Sequence, residues 1–200
     1  MTKIAAVLLM FLLLPAAVRA QTPEATPVDL ETVVADIVGN AAGFASASYE
    51  LSGTPLELPA FYSFAVVALE SVEEAQSTYD AFAEYLKNDW SPELEGEGGM
   101  TIETTEVTIA ELDAERIAVV GTSSDAVLQS TGFVVVRYGQ YLVVGAAETI
   151  SGDVIETLTP YMAHMLQRLQ GADVTDEMFL QSVIPTLNDL PPGYVVREQG

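Results

Sequence analysis

Few residue types in this chain are equipped for catalysis. His164, in the stretch PYMAHMLQRL, is the single histidine and therefore the only imidazole base available to a serine nucleophile. A Ser-His-acid triad needs that base beside the serine, usually with a G-x-S-x-G elbow, and no such elbow occurs. His164 lies one position off the apolar stripe of its segment, so it reads as a partly exposed helical residue. The absence of cysteine excludes thiol nucleophiles, disulfides, iron–sulfur centres and cysteine-ligated zinc. One histidine cannot complete an ordinary zinc site either.

Oxygen donors, by contrast, are plentiful. Asp89, Glu93, Glu95 and Glu97 lie along NDWSPELEGEGGM, the best stretch for a calcium ion, which prefers oxygen ligands. Their spacing does not match the D-x-[DN]-x-[DN]-G loop, and a solvated acidic loop explains them more simply. Calcium is thus a candidate ion rather than an expected cofactor. Gly96, Gly98 and Gly99 lack the Lys-Ser/Thr that follows the glycines of a phosphate loop. Two carboxylates facing one another could hydrolyse a glycoside, but their separation is spatial and cannot be read from spacing. Among the few cations, Arg137 is flanked by Tyr138 and Tyr141, and these three form the candidate ligand-contact set.

Charge narrows the partners. The 200 residues carry 29 acids against 7 bases, a formal charge of −22. Phosphate backbones and anionic membrane surfaces are repelled by such a chain. Half of the residues are hydrophobic and 18% are charged, the composition of a chain that folds around a core.

The N-terminus reads as an address. Lys3 precedes an apolar run, Ile4 to Leu14, then Pro15 and the small residues of Val18-Arg19-Ala20, the signature of a secretory signal peptide. The run of 11 residues is shorter than the roughly 20 needed to cross a bilayer as a helix. Cleavage after Ala20 would leave five cations against 29 acids, a charge of −24. A secreted product, extracellular or periplasmic and without stable membrane insertion, is therefore expected. Freedom from cysteine in an exported chain fits a bacterial source.

The elements that must position these residues follow from periodicity. Residues 21–28 form a proline-containing spacer. Asp29 caps an expected helix whose Leu30, Val33, Val34, Ile37 and Val38 share one face, closed by Gly39. Strands are expected over Phe44–Leu51 and Phe61–Leu69, the second continuously apolar and so central. Ser71 and Glu74 make a capping box for a helix to about Lys87, with Val72, Ala75, Tyr79, Phe82 and Leu86 on one face. Further strands are expected over Thr101–Ile109, Glu115–Thr122, Ala126–Tyr138 and Tyr141–Ala147, the last two joined by a tight turn at Gly139. A helix capped by Ser151 or Asp153 then runs to about Gln170, burying Ile155, Leu158, Met162, Met165, Leu166 and Leu169, with Pro160 as a kink or a start. Thr175 could cap one further turn, and Tyr194 to Val196 could form an edge strand.

Together these predict an α+β fold: a mostly antiparallel sheet of five to six strands with two or three helices packed on it. One domain spans 29–172, and 173–200 reads as an extended proline-containing tail. FAVVALESVEE and YLVVGAAETIS each run from an aromatic through a Val-Val strand toward a capped helix. In architecture this order resembles small exported α+β sandwiches of the photosystem-accessory type, PsbP-like or Mog1-like. The functional expectation is a non-catalytic ligand- or partner-binding module, meeting a protein or small molecule outside the cell. The alternative is a hydrolase that uses carboxylates, alone or with calcium.

Overall fold

Strand β1 (Gly43–Leu51) is a run of small residues between Phe44 and Tyr49, and β2 (Phe61–Ala68) is apolar almost throughout, as a strand covered on both faces requires. Both are buried along most of their length in the computed structural model of the protein, which describes residues 41–52, 58–88, 100–105, 114–123, 130–149, 152–172 and 175–199. The expected helix after Asp29 and the loop from Asp89 to Gly99 lie outside the described residues. So do the candidate signal peptide and spacer.

The remaining strands are β3 (Met100–Thr105), β4 (Glu115–Ser123), β5 (Ser130–Tyr138), β6 (Tyr141–Thr149) and β7 (Tyr194–Gln199). All pair antiparallel in one sheet of order β3-β4-β5-β6-β2-β1-β7. The β5–β6 hairpin turns at Gly139, whose φ of 58° is the left-handed conformation a two-residue turn requires. Tyr138 and Tyr141 face each other across it.

Helix α1 (Val72–Asn88) packs on one face of the sheet. Its first turn is closed by the Ser71 hydroxyl, which accepts from the Glu74 N–H at 3.1 Å, while the Glu74 carboxylate accepts from the Glu70 N–H at 3.2 Å. This is the expected capping box with its return bond moved back by one residue. Ala75, Tyr79, Tyr85 and Leu86 are buried, whereas Val72, expected on that face, is half exposed in the first turn.

Helices α2 (Val154–Leu169) and α3 (Glu177–Val183) cover the opposite face, making a layered α–β–α arrangement. Asp153 caps α2 by accepting from the N–H groups of Ile155 at 2.9 Å and Glu156 at 3.1 Å. All six residues of the expected α2 stripe are buried, joined by Val154. The helix runs through Pro160 on its exposed side, so the proline is not its start.

The fold corrects the sequence reading in two respects. Asp176, not Thr175, caps α3, accepting from the N–H groups of Met178 and Phe179. More consequentially, residues 173–200 are not an appendage. Leu180, Val183 and Ile184 are core residues, and the edge strand expected over Tyr194 to Val196 is present as β7, bonded to β1 as the seventh strand of the sheet. Proline-rich spacing hid this, because the burial of a short helix comes from its partners and not from its own period.

β1 and the lead-in to α3 approach closely at Gly43. A Cβ there would fall 2.2 Å from the Thr175 carbonyl oxygen and 2.8 Å from Leu180 Cδ1. The first obstacle is backbone, so no rotamer relieves it. Gly43→Ala should lower stability by about 1–3 kcal/mol, the range for an overpacked core. Urea unfolding measures this, and an unchanged midpoint would show that the two segments separate freely.

Candidate functional site

The candidate ligand-contact set does not converge. Successive strand residues point to opposite faces, and here Arg137 Nε donates to Glu115 Oε2 at 3.0 Å across the β4–β5 ladder on the α1 face. Tyr138 and Tyr141 pack on the other face, with Tyr141 in the core. An exposed pair like Arg137–Glu115 contributes about 0–1 kcal/mol, so it is a surface feature and no assembled pocket.

His164 is likewise absorbed by structure. Its Nδ1 stands 4.0 Å from Asp189 Oδ1, and Arg168 approaches the other Asp189 oxygen at 3.5 Å. Asp189 Oδ2 also accepts from the N–H and hydroxyl of Thr186, and Arg168 donates to the carbonyls of Val183 and Ile184. Burial works against ionisation of Asp189, but the Thr186 bonds, Arg168 and His164 together hold its carboxyl below the usual range. The cluster fastens the turn after α3 to α2. Asp89, Glu93, Glu95 and Glu97 lie outside the described residues. Among those described, no group of three or more metal-ligating side chains gathers.

Two features were not singled out by sequence reasoning. The first is a polar strip on the α1 face. Ser46, Ser48 and Ser63 are buried there, with the Ser48 and Ser63 hydroxyls 2.8 Å apart. Beyond them Thr131, Glu148, Phe61 and Glu50 follow in register across β5, β6, β2 and β1, and therefore share that face. Arg197 lies over the Phe61 ring, 5.7 Å from its centroid. Burial pushes the Glu148 carboxyl above its ordinary range. The alternation of YLVVGAAET does place residue 148 on one face with 142, 144 and 146, but its desolvation depends on neighbours from other strands.

A raised carboxyl costs stability when ionised, since the folded state holds its proton more tightly than the unfolded chain does. Stability is gained as pH falls through the folded value and withdrawn above it. Glu148→Gln should therefore raise the melting temperature at neutral pH, with the gain fading on acidification. A lower melting temperature at neutral pH would instead reveal a favourable partner for the carboxylate.

The second feature is the β7 side of the molecule. Of the five large exposed apolar side chains among the described residues, Met178 (79%), Leu187 (42%), Val195 (48%) and Val196 (46%) belong to the α3–β7 segment, and Val72 opens α1. β7 lies at one end of the described strand order, bonded to β1. α3 reaches β1 and β2, and α1 reaches β4, β5 and β6. Both faces of β7 are consequently left with apolar side chains in water.

No described helix is long and apolar enough to cross a membrane. Comparison with known protein families finds no matching family, and no curated protein matches the chain. Among solved structures, the extracellular domain of PknH from Mycobacterium tuberculosis is similar over 54% of this chain and 56% of that one, with 12% identity and a TM-score of 0.39. The chain thus spans about half the length of the structure it matches, and a likeness this partial bears on neither site nor activity.

Proposed function

We propose that this is a non-catalytic module acting outside the cytoplasm, extracellular or periplasmic, which binds a protein partner through its β7 side. One observation carries the reading: four of the five exposed large apolar side chains among the described residues fall within the α3–β7 segment. Single exposed apolar residues are ordinary, whereas a gathered set marks an interaction surface. Export is supported by the Lys3 to Ala20 pattern.

The reading is tested by a photoreactive amino acid placed at Val196 and, as control, at Glu84 on the exposed side of α1. A discrete cross-linked product from position 196 alone is expected in the producing cell's exported fraction. Equal, diffuse labelling from both positions would remove the basis for the β7 surface.

A second reading rests on Glu148. A half-buried carboxyl whose proton is held more tightly by burial suits a general acid, and Glu50 stands two strands away on the same face. Strand spacing sets their backbones about 10 Å apart, compatible with the roughly 6.5–9.5 Å carboxyl separation of inverting glycoside hydrolysis. Turnover on a polysaccharide panel, abolished by Glu148→Gln, would make this the better account.

A further inference from the structure

Edge strands normally carry a device that stops a second chain from pairing, such as a lysine, an internal proline or a bulge that turns the edge away. On β7 these devices are displaced. Pro191 and Pro192 precede the strand without interrupting it. The register shift makes Arg197 the extra residue of β7, since Ser48 pairs with Glu198 and Tyr49 with Val196, so the bulge falls after Val196 and leaves 194–196 in regular register. The Arg197 guanidinium is turned back over Phe61 and does not guard the outer edge. Val195 and Val196, on opposite faces, are left exposed, and no described strand pairs with the outer side of β7.

We infer that β7 accepts an extended segment of a cationic partner protein, which adds to the sheet as an eighth strand; the inference rests on the partner-binding reading above. Main-chain hydrogen bonds supply affinity in this mode, and side chains on alternate faces supply selectivity. Val195 and Val196 would each meet an apolar side chain of the added strand. The charge of −22 selects the partner's sign, because a basic segment is drawn to this field while a second copy of the chain is repelled by it.

The test uses the exported chain and a short synthetic peptide that repeats two lysines and two valines, so that both faces of the added strand carry valine. A second peptide has the same sequence with alternate backbone nitrogens methylated, which keeps the charge and side chains but removes the strand's donors. The unmethylated peptide should slow amide exchange within residues 194–199, and the methylated one should bind at least tenfold more weakly. Val195→Thr with Val196→Thr should weaken binding several-fold at an unchanged melting temperature. Equal binding of both peptides would reduce the effect to charge attraction and overturn the inference. Protection elsewhere, or none, would also overturn it, while the cross-linking result at Val196 would still judge the broader reading. Sedimentation of the protein alone covers the remaining occupant: a dimer that protects residues 194–199 would assign the edge to a second copy and overturn the cationic partner.

Discussion

A chain ending at Ala172 is expected to show no cooperative thermal transition. Removing residues 173–200 takes away Leu180, Val183, Ile184, Leu190 and Tyr194, all buried. Burial of each large apolar side chain contributes about 1.5–3 kcal/mol, so five approach the whole stability of a domain, about 5–15 kcal/mol. The loss is compounded because β1 becomes an edge, Tyr49 loses the Pro185 carbonyl that its hydroxyl donates to, and Tyr62 loses the Tyr194 ring 5.3 Å away. Calorimetry and near-ultraviolet circular dichroism of the truncated chain measure this directly. Retention of a sharp transition with most of the enthalpy would show that the sheet stands without its last strand. Val195→Thr with Val196→Thr is the control, since it alters exposed positions only and should melt like the parent.

Phe64→Ala should be the most damaging single substitution in the aromatic layer under α2. Phe64 is fully buried and meets three rings, Tyr62 at 5.8 Å, Tyr49 at 6.4 Å and Tyr161 at 5.5 Å between centroids. The layer is fixed at two points: the Tyr49 hydroxyl donates to the Pro185 carbonyl, and Tyr194, which packs on Tyr62, donates to the Pro59 carbonyl. Burial pushes both phenols up to about 12, so they remain neutral donors at physiological pH. Such a framework cannot collapse into the space left by Phe64. The cost should be at the high end for Phe→Ala, about 3–5 kcal/mol, a fall in melting temperature of about 10 °C for a chain of this size. Phe82→Ala, at a half-buried position on α1, should cost clearly less. A fall for Phe64→Ala below that of Phe82→Ala would mean the tyrosine layer repacks.

These effects mark where local pattern ends and tertiary context begins. The α2 stripe from Ile155 to Leu169 was legible because one buried face imposes one period, and the Asp153 cap with the Gly139 turn fixed its surroundings. The continuous apolar run of β2 was legible for the same reason, since both its faces are covered. The split of Arg137 from Tyr138 was also available from strand alternation, although the proximity of three recognisable side chains in sequence suggested a single site. The Arg137–Glu115 pair was not legible, because it depends on the register of β4 against β5. Nor was Glu148, whose raised carboxyl comes from neighbours on other strands. In the C-terminal segment a helical turn and the Tyr194 to Val196 strand were legible but their docking on the core was not, because a seven-residue helix has too few turns to display a buried face.

The placement of β7 beside β1 has a temporal consequence. The bonds that close this side of the sheet join residues 136 positions apart, from Tyr49 to Pro185, and 135 apart, from Tyr194 to Pro59. During synthesis β1 emerges early, yet the Tyr49 hydroxyl has no Pro185 carbonyl to donate to, and the Pro59 carbonyl no Tyr194 hydroxyl to accept from, until the C-terminal segment has been made. Such distant pairing slows folding, since the intervening chain must be ordered before the contact rewards it. A nascent chain built this way stays incomplete until its last strand arrives, which is the state that the proposed export would need for threading through a translocation pore.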